Sequence, residues 1–225
     1  MNKSFIRDII GVILVGLMLF FVFLMARISI PYFSFRHDVA FLKTKQPELH
    51  VPIWVQAFYI HVATGTFVLL IGIFQFVKPL LVKRPKLHRI LGTTYVALIL
   101  FFTAPAGFVM ALYANGGIWA QISFTITAVL WWVFTFVAYY YAWKKKFRQH
   151  LANMYRSYAL TLTAVTLRLY VFILPHFIYL HSTQMYVLVA WLSWAPNLLV
   201  AEILITRWRR RGSLIPGVQK SVNVL

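Results

Sequence analysis

Apolar residues run in long blocks along this chain, and polar residues collect in short clusters between them. Six blocks read as spans, at about 8–27, 53–77, 90–113, 118–142, 155–179 and 184–206, each reaching the roughly 20 residues that a helix needs to cross about 30 Å of hydrocarbon. Backbone N–H and C=O groups find no water inside a bilayer, so blocks of this kind must be helical. The pattern predicts an all-α integral membrane protein, a six-helix transmembrane bundle with a four-helix core from spans two to five. Residues 1–210 form one bundle on this reading, and 211–225 form a cytoplasmic tail.

The breaks between blocks are legible too. The segment 28–52 carries Pro31, Pro47 and Pro52 around His37, Asp38, Glu48 and His50. That many prolines exclude one long helix, though a short interfacial helix fits around Asp38–Lys45. Lys78-Pro79 ends span two, and span three begins just after Pro85, a residue suited to a first helical turn. Pro105 should kink span three, Asn115-Gly116-Gly117 should turn tightly, and Pro196-Asn197 should break span six. Span one, Ile9–Met25, has no polar stripe and should pack at the periphery. It follows a short basic tail, as a signal peptide does. Its long apolar core and lack of a small-x-small site favour an uncleaved span over a cleaved signal that would leave five.

Charge then orients the bundle. The chain has 22 Lys and Arg but only four acids, Asp8, Asp38, Glu48 and Glu202. Basic residues alternate by loop. The N-terminal tail, the loops around Lys78–Arg89 and Lys144–Arg156, and the C-terminal tail hold seventeen, whereas the opposite connections hold four: Arg27, Arg36, Lys43 and Lys45. Basic loops stay cytoplasmic, so both termini are expected inside. The net charge of +18 would suggest nucleic acid in a soluble protein. Here it sits in short loops, where it sets orientation and meets anionic lipid at the cytoplasmic face; no nucleic-acid partner is expected. With 61% apolar residues an ordinary soluble domain is excluded. The absence of Cys removes disulfides, thiolate-bound metals, iron–sulfur clusters and thiol catalysis. The tyrosines and tryptophans of span four (Trp131, Trp132, Tyr139, Tyr140, Tyr141, Trp143) read as headgroup-level residues.

Polar residues inside the spans carry the candidate chemistry. Arg168 lies about eleven residues into span five, roughly 16 Å deep at 1.5 Å per residue. A charge near the midplane is costly and faces the bundle interior or a cavity. Helical spacing aligns His150, Ser157, Thr161 and Arg168 on one face of span five. Span two aligns His61, Gly65, Gly72 and Gln75, and span three aligns His88, Gly92 and Tyr95. Asn197 is near the midplane of span six, where Pro196 leaves the Leu192 carbonyl without its helical donor. Glu202 lies about a turn and a half further toward the cytoplasm. His61, Arg168, Asn197, Thr161 and Glu202 therefore make a candidate interior polar site, in which Arg168 lacks an acid at matching depth and wants an anion or a dipole. His88 and His150 share a depth at the starts of spans three and five. They are candidate haem ligands, with Arg89 and Arg156 as propionate or phosphate contacts. Each also has a plainer role: the histidines can anchor helix starts to phosphate and loop carbonyls, and the glycines can serve packing alone.

His61 with Gly65 and Gln75, the segment His88-Arg89-x-x-Gly92-x-x-Tyr95, the run His150-x3-Met154-x-Arg156-Ser157-x-Ala159-Leu160-Thr161 and then Leu167-Arg168 resemble domain-of-unknown-function family 2306. The resemblance covers about residues 55–205. Tyr155 is a small departure from it. It implies a multi-pass protein of the bacterial cytoplasmic (inner) membrane and highlights His61, His88, His150, Arg156 and Arg168 without assigning them a task.

Three function classes follow. The leading one is an accessory, assembly or structural subunit of a membrane complex, since almost no chain lies outside the bilayer. The second is a small redox protein linked to b-type haem or a quinone; His61 has no histidine at its own depth, so one haem at most is supported. The third is a transporter built on the midplane Arg168 and the broken span six. No Ser or Thr has a His and an acid at its depth, which argues against intramembrane hydrolysis.

Overall fold

The computed structural model describes residues 3–211, all of them in helices, turns and short connections, with no strand among them. Six helical stretches are long and apolar enough to cross a membrane, from Ile9–Ser34, Pro52–Gln75, Pro85–Leu112, Ile118–Trp143, Phe147–His176 and Ser182–Arg210. Most of the expected tail, 212–225, lies outside the described residues.

Helix α1 (Lys3–Ser29) touches the bundle along one edge. Val22 and Met25 pack with Leu69, Ile73 and Val165, while Val12, Phe20 and Phe23 stay exposed. A stripe this narrow is what a uniformly apolar helix gives when one side meets protein and the rest meets lipid. The proline-rich connection folds into three short 3-10 turns, Ile30–Ser34, Ala40–Thr44 and Glu48–His50. They pack Tyr32 and Leu42 onto Trp54 and Phe58 of the next helix. Lys45 ties this layer down. Its position in the proline-rich connection says nothing of burial, yet its side chain is 2% exposed, with Nζ donating to Glu48 Oε1 at 2.9 Å and to the Tyr113 carbonyl. A buried ammonium needs partners of this kind.

Helix α2 (Pro52–Gln75) and α4 (Pro85–Leu98) each open on a proline, and a short α3 (Lys78–Lys83) links them. The expected kink in span three is a π-turn, Ile99–Thr103, before α5 (Ala104–Leu112). Pro105 has no N–H to give, and Trp132 Nε1 donates instead to the Leu100 carbonyl at 3.1 Å. Gly116 and Gly117 then turn the chain at φ +87° and +72°, backbone that glycine adopts without penalty. Helix α6 (Ile118–Trp143) follows, then α7 (Phe147–Thr161) and α8 (Thr163–Ile173), which make span five with a one-residue interruption.

Span six is α9 (Ser182–Leu192) and α10 (Ala195–Arg211). Its break falls at Ser193–Trp194, upstream of the expected Pro196-Asn197, because a proline is accommodated in the first turn of the helix it opens. The polar side chains gather at the Ser193 carbonyl, one residue past Leu192, where both Thr166 Oγ1 and Asn197 Nδ2 donate to it. The main core joins Val68, Tyr95, Ile99, Trp131, Ala138, Met154 and Leu160 of spans two to five, with Trp194 from span six. Tyr139, Tyr140 and Trp143 are exposed as headgroup-level residues are, but Trp131 points inward and is buried.

Candidate functional site

The interior polar groups fall into three places. At mid-bundle is a closed network. Tyr95 OH meets Thr161 Oγ1 at 2.8 Å and Ser157 Oγ at 3.1 Å. Trp131 Nε1 donates to Thr161 Oγ1 at 3.1 Å, and Thr135 Oγ1 meets Ser157 Oγ at 2.7 Å. The residues come from spans three, four and five, all are buried, and each side chain has a partner. This is what low dielectric demands of polar groups. Thr161 was expected in a shared site with Arg168; its contacts are Tyr95, Trp131 and Ser157.

Buried polar atoms without a partner occur at Glu48 Oε2, Trp54 Nε1, Tyr59 OH and Thr163 Oγ1, and three more gather toward the basic end. Gln75 Nε2, His88 Nδ1 and Tyr158 OH are buried and have no hydrogen-bond partner. They are brought together by α2, α4 and α7. A Cβ added to Gly92, one turn past His88, would lie 2.9 Å from Gln75 Oε1. A Cβ on Gly72 would lie 2.4 Å from the Tyr158 ring and 3.1 Å from that of Tyr95. Phe76 packs on Tyr158 and Tyr155, with centroids 5.2 and 5.1 Å apart. His150 closes the group. Its Nδ1 is 2.9 Å from the Ala138 carbonyl, and a carbonyl can only accept, so Nδ1 carries the proton and Nε2 keeps its lone pair. His88 and His150 are within electrostatic reach of each other. Arg156, expected near a propionate or phosphate, is instead bound to Glu202, with Nε–Oε1 2.5 Å and Nη2–Oε2 2.9 Å, and lies over the Phe134 ring. Arg89 is exposed at the same end.

The third place is the opposite half of the bundle. His61 Nδ1 is 2.9 Å from the Thr103 carbonyl at the end of the π-turn, a kind of irregularity frequent at functional sites. Arg168 gives Nη1 to the Ala164 carbonyl at 2.7 Å, is otherwise exposed, and lies within electrostatic reach of His61. Asn197 has other partners: its amide donates to the Ala159 carbonyl at 3.2 Å, to Thr166 Oγ1 at 3.1 Å and to the Ser193 carbonyl at 3.0 Å, which knits span six to span five. Among the described residues no hydrogen bond joins any two of the five residues expected to share an interior site, although Asn197 reaches Thr166, which lies between Thr161 and Arg168 on span five.

Sequence reasoning singled out neither Lys45 nor Tyr158. The Lys45…Glu48 spacing was visible, but nothing in it told burial from solvation. Tyr158 is adjacent to the Ser157 stripe and could be assigned only once α2 was packed against it. No cluster of three or more metal-ligating side chains occurs among the described residues. No curated protein and no solved structure matches the chain. The family profile of DUF2306, described as a predicted membrane protein, matches residues 58–205, from the second turn of span two to the basic end of span six. The chain, with its six helices able to span a membrane, belongs to that family.

Proposed function

We propose that the protein is a membrane-embedded subunit that binds a quinone head group at the basic end of spans two, three and five, and that it serves as an accessory part of a redox complex in a bacterial inner membrane, with its basic loops on anionic cytoplasmic-face lipid. The observation that carries this reading is the orphaned set Gln75 Nε2, His88 Nδ1 and Tyr158 OH beside His150. Buried polar atoms without partners are rare and costly. An amide N–H, a phenol O–H and the His88 imidazole can donate to the two carbonyl oxygens of a quinone, the His150 Nε2 lone pair can accept from the hydroxyl of its reduced form, and the aromatic rings of Phe76, Tyr155 and Tyr158 match its plane. A b-type haem fits less well. His150 has the fixed tautomer of an axial ligand, but Arg156, the basic residue expected at a propionate, is committed to Glu202.

The test is solvent extraction of the detergent-purified protein, with the extract assayed for quinone, alongside a reduced-minus-oxidised absorption spectrum. Bound quinone is expected in the unaltered protein and should fall at least tenfold in Gln75→Ala and in His88→Ala. A Soret band with a sharp reduced α-band, lost in both His88→Ala and His150→Ala, would replace the quinone by haem. Folded protein from quinone-replete cells carrying neither would sink the redox reading and leave the accessory or assembly role by itself. A transporter acting through Arg168 is the remaining alternative, and it draws on the opposite half of the bundle.

A further inference from the structure

Arg168 and the quinone-type site lie on one helix face but far apart: Arg168 is eighteen residues beyond His150, about 27 Å along the axis. The surroundings of Arg168 have four features that belong together. The first is its direction. Thr161 lies seven residues earlier and so within about 20° on the helix wheel, and Leu162 and Thr166 keep their bonds four residues back across the interruption. Thr161 is 4% exposed and locked into the mid-bundle network. Arg168 faces the same interior side yet is exposed. The inward face of span five is thus packed at Thr161 and accessible two turns further, at Arg168.

The second feature is the facing wall. A Cβ on Gly65 of α2 would meet nothing within 4 Å, so the space beside it is open. His61, one turn away on the same stripe, is half-buried. Its Nδ1 donates to the Thr103 carbonyl, which leaves Nε2 with a lone pair that accepts from a hydroxyl of a head group rather than from an oxyanion. The third is charge. The described carboxylates are all engaged elsewhere: Asp38 with Arg36, Glu48 with Lys45, and Glu202 with Arg156. Asp8 lies near the other end of α1, about 25 Å along that helix from Met25. The fourth is the guanidinium itself. Nη1 is held by the Ala164 carbonyl. Nε and Nη2 have no partner among the described residues, and this pair of donors is the fork that binds an oxyanion through two bonds. Val171 and Phe172 on the same helix are exposed and apolar, the surroundings an acyl chain would meet.

We infer that the half of the bundle opposite the basic end is an oxyanion-binding cleft, anchored by Arg168, that takes the phosphate or carboxylate head of a lipid-like amphiphile. The guanidinium supplies the charge and the fork, the open space beside Gly65 receives the head, and the exposed apolar side chains flank the tail. A charge at this depth is then neutralised by its ligand, which removes most of the cost of placing it in a membrane. The site is independent of the quinone proposal and shares no residue with it.

The test is thermal unfolding of the full chain in a neutral detergent, titrated in parallel with phosphatidylglycerol, phosphatidylcholine and inorganic phosphate. Phosphatidylglycerol is expected to raise the midpoint in the unaltered protein and in Arg209→Gln, a variant at the basic end, while phosphatidylcholine does not. In Arg168→Gln the rise should fall by at least half. Should Arg168→Gln fail to fold, Gly65→Leu keeps the charge and fills the cleft, and it should give the same loss with a normal fold. An equal rise with inorganic phosphate alone, lost in Arg168→Gln, would keep the oxyanion site and overturn the lipid as its source. An unchanged response in both Arg168→Gln and Gly65→Leu would overturn the site.

Discussion

Gly65 and Gly72 lie seven residues apart on one stripe of α2 and meet opposite surroundings. Beside Gly65 there is open space; at Gly72 the Tyr158 ring stands 2.4 Å from where a Cβ would be. The first faces the half of the bundle that holds His61 and Arg168. The second faces the packed half, where Gln75, His88 and Tyr158 lack partners. Between them the hydroxyls of Tyr95, Ser157, Thr161 and Thr135 close on one another. Small residues in transmembrane helices are commonly ascribed to close helix approach alone. Here one does that and the other leaves room. A polar stripe is therefore not one site; its chemistry depends on what each turn of it faces.

The sharpest way to break this contrast is to remove the roof of the open half. Lys45 pins the 3-10 layer through Glu48 and the Tyr113 carbonyl. Lys45→Ala leaves that carboxylate and carbonyl unpaired and should cost about 3 kcal/mol, read as a lowered unfolding midpoint in detergent. An unchanged midpoint would mean that the layer is not held by this contact.

Gly72→Ala should come next. The new methyl forces Tyr158 or α2 to move, at a cost of about 1–3 kcal/mol, and it should also disturb quinone retention. Retention at the level of the unaltered protein would separate Tyr158 from the proposed site.

Tyr95→Phe takes one hydroxyl out of the closed network and should cost about 1 kcal/mol, a midpoint shift of roughly 2–4 °C for a chain of this size. Cycles pairing it with Thr161→Val measure the coupling, and strict additivity of the two changes would show that the network contributes nothing as a unit.

Gly65→Ala is the smallest. With nothing within 4 Å of the added atom, stability should stay within about 0.5 kcal/mol. A loss as large as that of Gly72→Ala would erase the difference between the two halves.

The ends of the spans were the most legible part of the chain. Pro52 and Pro85 open helices, Gly116-Gly117 turns, and Pro105 distorts span three, because a missing N–H or Cβ acts locally and needs no partner. The break in span six was legible in kind but moved to Ser193–Trp194. Candidate site residues fared differently. His88 and His150 do lie near each other, since equal depth on inward faces brings residues together in any bundle. Arg156 was read as a ligand contact and binds Glu202, because which faces of spans five and six meet depends on the packing of both. Trp131 looked like its headgroup-level neighbours, although its indole N–H lies on the core side of α6 and reaches Thr161.

Taken alone, the order of apolar and polar residues determined that this chain makes six helices able to span a membrane, that the third and sixth are disturbed, and which polar residues share a face. Hydrophobic length and helical period suffice for that, as both are properties of one segment at a time. The tertiary structure decided which polar groups find partners. Thr161 is satisfied, Gln75 and Tyr158 are not, Lys45 is buried, and Arg168 is exposed. Those outcomes depend on the side chain that a neighbouring helix brings to within about 3 Å, the range over which hydrogen bonds form, and the sequence of a single helix says nothing about the distance to another.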